Sequence, residues 1–141
     1  MVITSLEMDI LIKLLVSVLL GGIIGLEREF NKSAAGIKTY SIVCLGSALF
    51  TLASAIVDIK LAAGVITGIG FLGAAVIFKT ENRVVGITTA ALVWSTASIG
   101  FVVGLGLYFA AVAATILLLV ILIPVEYFEK KLLKFHDEKG F

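Results

Sequence analysis

A single cysteine, one histidine and one proline leave this chain with little of the usual equipment for chemistry. Cys44 has no partner for a disulfide or a paired-cysteine metal site, and it lies in an apolar run, where it reads as a small packing residue. His136 stands in the tail with no cysteine or second histidine near it and reads as a solvated residue. No Ser-His-Asp set, paired cysteines or phosphate loop can be assembled, so neither an enzyme, a cofactor nor a metal site is expected. Gly68-x-Gly70-x-x-Gly73 has the spacing of a dinucleotide fingerprint. It lies inside an apolar run instead of between a strand and a helix, so it is discarded.

What is abundant is apolar surface. Of 141 residues 60% are hydrophobic and 15% charged, and the mean hydropathy is +1.17. Soluble domains sit nearer about 45–50% apolar, so the chain belongs to the membrane class. A span needs about 20 mostly apolar residues. Five segments fit: 10–26, 39–57, 61–78, 84–103 and 107–123, the last closed by Pro124. The second and third are joined by Asp58-Ile59-Lys60, and the fourth and fifth by Gly104-Leu105-Gly106, both tight hairpins between antiparallel neighbours. The expected architecture is all-α and polytopic, a five-helix transmembrane domain over 1–124 and a cytoplasmic tail over 125–141. Glu7 and Asp9 replace the basic start of a cleavable signal, so the first run is expected to stay in the mature protein.

The charges are sorted, although the net charge is only +1. Loop 27–38 carries Arg28, Lys32 and Lys38; loop 79–83 carries Lys79 and Arg83; the tail carries Lys130, Lys131, Lys134 and Lys139. With five spans these nine of the eleven basic residues share one side, leaving Lys13 and Lys60 near the other. The positive-inside rule then puts the N-terminus outside and the C-terminus in the cytoplasm, in an inner (plasma) membrane. Merging the last two runs into one span would break this sorting. In the tail, Val125, Phe128, Leu132 and Phe135 recur at helical spacing, which reads as a short amphipathic helix on the membrane surface; the alternative is a plain continuation of the last span. A weak repeat at an offset of fifty relates Gly36-Ile37-Lys38-Thr39 to Gly86-Ile87-Thr88-Thr89, as in parallel repeats about the membrane normal.

The stretch 64–79 is the expected packing hub. Gly64, Gly68 and Ala75 fall on one helical face, and Gly70, Gly73 and Ala74 on the opposite side. Glycine in a helix interior costs about 1 kcal/mol against alanine, and lipid gains nothing from it. Small residues serve where helix backbones approach closely in a membrane, which also marks Gly21, Gly22 and Gly25 in the first span.

Charge at membrane depth is missing. No span carries Asp, Glu, Asn or Gln in its middle, whereas a path for divalent cations needs such oxygens. The hydroxyls of Ser47, Thr51, Thr67, Ser95, Thr96 and Ser98 are expected to bond their own helix or a neighbour. Polar residues gather at a cytoplasmic rim of Glu27, Arg28, Glu29, Lys38, Thr39, Lys79, Arg83, Thr88 and Thr89. Two helices begin there with free N–H groups, so the rim could take a phosphate, a lipid head group or an acidic segment, or could serve only to fix topology.

Six motifs in order carry a family resemblance: Gly-Leu-Glu-Arg-Glu (25–29), Ala-Gly-Ile-Lys-Thr (35–39), Leu-Gly-Ser-Ala-Leu-Phe (45–50), Gly-Ile-Gly-Phe-Leu-Gly-Ala (68–74), Gly-Ile-Thr-Thr-Ala-Ala (86–91), and Trp94 with Gly-Leu-Gly-Leu-Tyr (104–108). Over about Gly21 to Tyr108 the chain resembles the N-terminal membrane domain of the MgtC/SapB family. The resemblance implies a regulator of other membrane machines, the rotary ATP synthase among them, that supports growth in low magnesium. It also implies that a soluble ACT-like domain, carried by the best-known members, is not among these 141 residues. Three departures stand out: Lys38, Gly64 and Val85 replace the arginine, glutamine and arginine usual in the family, and the first exchange loses bidentate geometry.

The expected function is therefore a non-enzymatic, multi-pass membrane protein acting by helix–helix contact. Its expected partners are membrane lipid, a second copy (a dimer first) or another membrane protein, and no nucleic acid. The alternative is a small oligomeric transporter or channel for magnesium, another ion or a small solute.

Overall fold

The computed structural model describes residues 4–58, 60–81 and 83–137. Helices α1 (Ser5–Phe30), α2 (Ile37–Ile56), α3 (Lys60–Ala75), α4 (Ile87–Gly104) and α5 (Tyr108–Asp137) carry almost all of it. The only other regular element among the described residues is a hairpin of β1 (Phe78–Lys79) and β2 (Val84–Val85), which pairs Phe78 with Val85. The fold is all-α. Helices α1, α2 and α4 are long and apolar enough to cross a membrane; the apolar parts of the other two, Ala63–Ala75 and Tyr108–Pro124, are shorter. Large side chains such as Leu19, Phe50, Phe71 and Phe109 lie exposed around the bundle. A surface this apolar suits lipid and not water.

Local chemistry explains the helix ends. Thr4 and Glu7 form a capping box at the start of α1: the Thr4 N–H donates to Glu7 Oε2 at 2.7 Å, and the Glu7 N–H to Thr4 Oγ1 at 3.4 Å. Lys32, at φ 54°, turns the chain out of α1. After α4, Gly106 adopts φ 80°; its N–H donates to the Val103 carbonyl and that of Leu107 to the Val102 carbonyl, a Schellman closure. This is the tight Gly104–Gly106 turn that the sequence predicts.

Two bounds differ from the sequence reading. The third span was expected to reach Phe78 and the fourth to begin at Val84, but Phe78–Lys79 and Val84–Val85 pair as the two strands of the hairpin. The Thr80 N–H and hydroxyl both donate to the Arg83 carbonyl at 2.9 Å, which draws this segment into a turn. Pro124, expected to close the last span, lies inside α5, whose backbone continues to Asp137. The apolar and charged faces of 125–141 involve side chains outside the described residues.

The core is built on α2. It packs most extensively against α1 and α4, while α3 rests on α4 and more lightly on α2, and α5 leans on α4 and α1. Tyr40, Cys44 and Ala48 of α2 are fully buried, together with Ile24 of α1 and Val103 of α4. Glycines allow the approach. A Cβ at Gly21 would lie 2.5 Å from the Tyr40 carbonyl oxygen and 2.8 Å from Cys44 Cβ; one at Gly25 would lie 2.5 Å from Ile37 Cα. On the other side of α2, Gly100 abuts the Cys44 carbonyl, and a Cβ at Gly104 would lie 2.6 Å from Thr51 Cβ. Two glycine pairs, each spaced four residues apart, therefore clasp α2 between α1 and α4.

Candidate functional site

The expected hub is not where most of the packing occurs. Among the described side chains of α3 only Val65, Ile69 and Gly73 sink toward the bundle; Gly64, Thr67, Gly68, Gly70, Phe71 and Ala74 are exposed. A Cβ at Gly73 would meet the Ala90 carbonyl oxygen of α4 at 3.5 Å, an ordinary contact. At Gly64, Gly68 and Gly70 it would meet nothing within 4 Å. Of the small residues singled out from sequence, Gly21 and Gly25 mediate close helix contact, a Cβ at Gly22 would lie 3.3 Å from Ser41 Oγ, and Gly73 seats α3. The other glycines of α3, with Ala74, form an outward surface. Gly100 and Gly104 escaped the sequence reading, although their spacing is the same small-x-x-x-small signal that Gly21 and Gly25 give.

Two cavities flank α3. A groove of about 600 Å³ runs between α2 and α3, walled by Ile42, Phe50 and Leu72 over a floor of Gly46, Gly64 and Gly68. A smaller one of about 100 Å³ lies between α3 and α4 beside Trp94, Ser98 and Phe101. Ser47 lines both. Most hydroxyls in these helices back-bond as expected: Thr51 to the Ser47 carbonyl at 2.8 Å, Ser54 to Thr51 at 2.8 Å, Ser95 to Ala91 at 2.9 Å and Thr115 to Ala111 at 2.9 Å. Ser47 and Thr96 are exceptions, each with a buried hydroxyl that finds no hydrogen-bond partner among the described residues.

The polar rim is partly assembled at the α1–α2 turn. Arg28 is buried and pairs with Glu27 at 3.5 Å, and Asn31 Nδ2 donates to Glu27 Oε1 at 2.7 Å. Glu29 reaches forward eight residues, accepting the Ile37 N–H through Oε2 at 3.0 Å. One of the N–H groups that sequence reading left free at the start of α2 is thus already capped by a carboxylate of the same chain. Ser33 Oγ and Thr89 Oγ1, 3.3 Å apart, join this turn to the start of α4. Lys38 and Thr39 line a shallow depression of about 420 Å³ with Glu29, Lys32, Ser33 and Gly36. Lys79 and Arg83 stand exposed on or beside the hairpin, and Thr88 is exposed in the first turn of α4. Gly36 and Gly86, equivalent in the weak repeat, are the N-caps of α2 and α4. Their backbones differ: Gly36 is extended, whereas Gly86 is left-handed at φ 90°, and a Cβ there would overlap the Val76 carbonyl.

Among the described residues no group of three or more His, Cys, Asp or Glu could hold a metal ion. What the arrangement offers is contact: a glycine-floored groove, an outward helix of small residues and a cross-linked polar turn.

The model of the MgtC family matches residues 14–131. Protein MgtC of Salmonella typhimurium is 42% identical over 113 residues, 77% of this chain and 49% of that protein. Protein MgtC of Brucella abortus is 41% identical over 108 residues, covering 73% and 45%. An uncharacterized protein of Haemophilus influenzae is 40% identical over 123 residues, covering 77% and 52%. The chain spans about half the length of the curated relatives it matches. No solved structure matches it.

Proposed function

This chain belongs to the MgtC family, and on that premise we propose that it acts inside the membrane by lateral helix contact, with another copy of itself or with a second membrane protein, in support of growth when magnesium is scarce. The observation that carries the reading is the outward surface of α3, where Gly64, Gly68 and Gly70 have no neighbour within 4 Å of a would-be Cβ. Each such glycine in a lipid-facing helix forgoes about 1 kcal/mol of helix propensity, which a closely approaching helix offsets. In this reading the protein is a multi-pass protein of the inner membrane, oriented with its basic loops in the cytoplasm. Magnesium enters through the family resemblance and not through any metal site.

A strain lacking its own copy, complemented with this chain, tests the reading. Wild type is expected to restore growth in limiting magnesium, and Gly68→Ile, inserted at the same level, is expected not to. Growth of Gly68→Ile equal to wild type counts against lateral contact through α3. Magnesium flux into liposomes above that of empty vesicles would favour a transporter instead.

A further inference from the structure

We propose that the β1–β2 hairpin binds an anionic phospholipid surface, with Phe78, Val84 and Val85 among the outermost acyl carbons and Lys79 and Arg83 on the phosphates. Such anchoring is independent of lateral contact through α3. Helix lengths point to it first. Helix α3 has 16 residues and α4 has 18, which at about 1.5 Å per residue make about 24 and 27 Å. The hydrocarbon core of a bilayer is about 30 Å thick, so each helix falls short of it by about 3–6 Å. Lys60 is the first residue of α3 and sets a charged edge at the far end, so the shortfall of α3 lies at the hairpin. There Val76, Ile77 and Phe78 continue the apolar run, each extended residue adding about 3.3 Å, and the first charge is Lys79. On the return, Arg83 is the last charge before Val84, Val85 and the start of α4. The hairpin thus supplies the missing end of both crossings.

Exposure agrees with this placement. Ile77, Phe78, Val84 and Val85 are all exposed. Phe78 and Val85 are paired and share one face of the hairpin, while Val84 shares the other with Lys79. A hairpin of two residue pairs is marginal in water, and apolar side chains on both its faces gain nothing there. Its shape is nonetheless fixed at both ends. Thr80 bonds to the Arg83 carbonyl close the turn, and at the base Gly86, at φ 90°, passes where a Cβ would overlap the Val76 carbonyl. Charge then selects the ligand. The Ser33–Thr89 contact of 3.3 Å brings Lys32 and Lys38 of the α1–α2 turn to the same end as Lys79 and Arg83, all four exposed. Among the described residues of these two turns the exposed carboxylates are Glu29, which already holds the Ile37 N–H, and Glu81. A basic edge beside exposed apolar side chains fits anionic lipid.

The test uses the full chain, with Cys44→Ala removing the only cysteine, in nanodiscs of mixed phosphatidylcholine and phosphatidylglycerol. A nitroxide on Val84→Cys is expected to collide with oxygen and to be shielded from a water-soluble nickel chelate. One on Glu81→Cys, in the turn, is expected to do the reverse. Native mass spectrometry is expected to find phosphatidylglycerol retained in preference to phosphatidylcholine. Lys79→Gln and Arg83→Gln are each expected to cut that preference about fivefold, and Lys60→Gln, at the other end of α3, to leave it unchanged. The turn is held through the Arg83 carbonyl and not its side chain, so the helical spectrum is expected to match wild type. A Val84→Cys label as open to nickel as that on Glu81→Cys puts the hairpin in water and overturns the anchor. A label shielded from both reagents means that protein covers the hairpin and overturns lipid as its ligand. Equal retention of the two lipids, or a preference that Lys79→Gln and Arg83→Gln leave intact, overturns the phosphate contact.

Discussion

Gly21 of α1 lies so close to Tyr40 of α2 that a Cβ on the glycine would stand 2.5 Å from the tyrosine's carbonyl oxygen. The obstacle is backbone, which cannot swing aside as a side-chain tip can. Gly21→Ala is therefore expected to push α1 from α2 and to lower stability by about 1–3 kcal/mol, the usual range for overpacking. Gly68→Ala, with nothing within 4 Å, is expected to leave the single-copy fold intact. Thermal unfolding of the two variants in detergent, followed by circular dichroism, checks the contrast. Equal melting temperatures would refute it.

The two glycine N-caps should respond differently. Gly86 sits at φ 90° with the Val76 carbonyl where a Cβ would go, so Gly86→Ala combines a left-handed backbone with a clash. The first alone costs about 1–2 kcal/mol. At Gly36 the backbone is extended, and a Cβ would meet only the end of the Glu29 side chain, at 2.5 Å. Gly36→Ala is expected to be the milder change by melting temperature.

Glu29 supplies the cap that Gly36 lacks. Glu29→Ala removes the acceptor of the Ile37 N–H and is expected to destabilise the start of α2 by about 1 kcal/mol. Hydrogen exchange at the amides of residues 37–39 should rise, while exchange in mid-α2 stays unchanged. Uniform protection in the variant would show that Glu29 contributes nothing to the cap.

Cys44 is fully buried between Gly21 and Gly100. A membrane-permeant maleimide is expected to label it only after denaturation with SDS. Rapid labelling of native vesicles would mean that α2 is not clasped as described.

Much of the fold was legible in the sequence, and the residues show why. The apolar runs place the helices, and Gly104-Leu105-Gly106 a tight turn, because length, hydropathy and glycine at a left-handed position act locally. The hairpin at 78–85 was missed, since its apolar residues continue the hydrophobic run and its turn depends on Thr80 and Arg83 bonding across the gap. The rim was visible as a cluster, but Glu29 capping Ile37 from eight residues away was not.

By itself the sequence determined the membrane class, the all-α architecture and the presence of close-approach glycines, because each follows from composition or from neighbours along the chain. Only the tertiary structure decided which glycines meet a backbone. A glycine's own sequence context is the same whether it faces α2, as Gly21, Gly25, Gly100 and Gly104 do, or faces outward, as Gly64 and Gly68 do. The difference arises where Tyr40, Cys44 and Thr51 bring α2 between α1 and α4, leaving α3 seated on Val65, Ile69 and Gly73 with its glycine flank open.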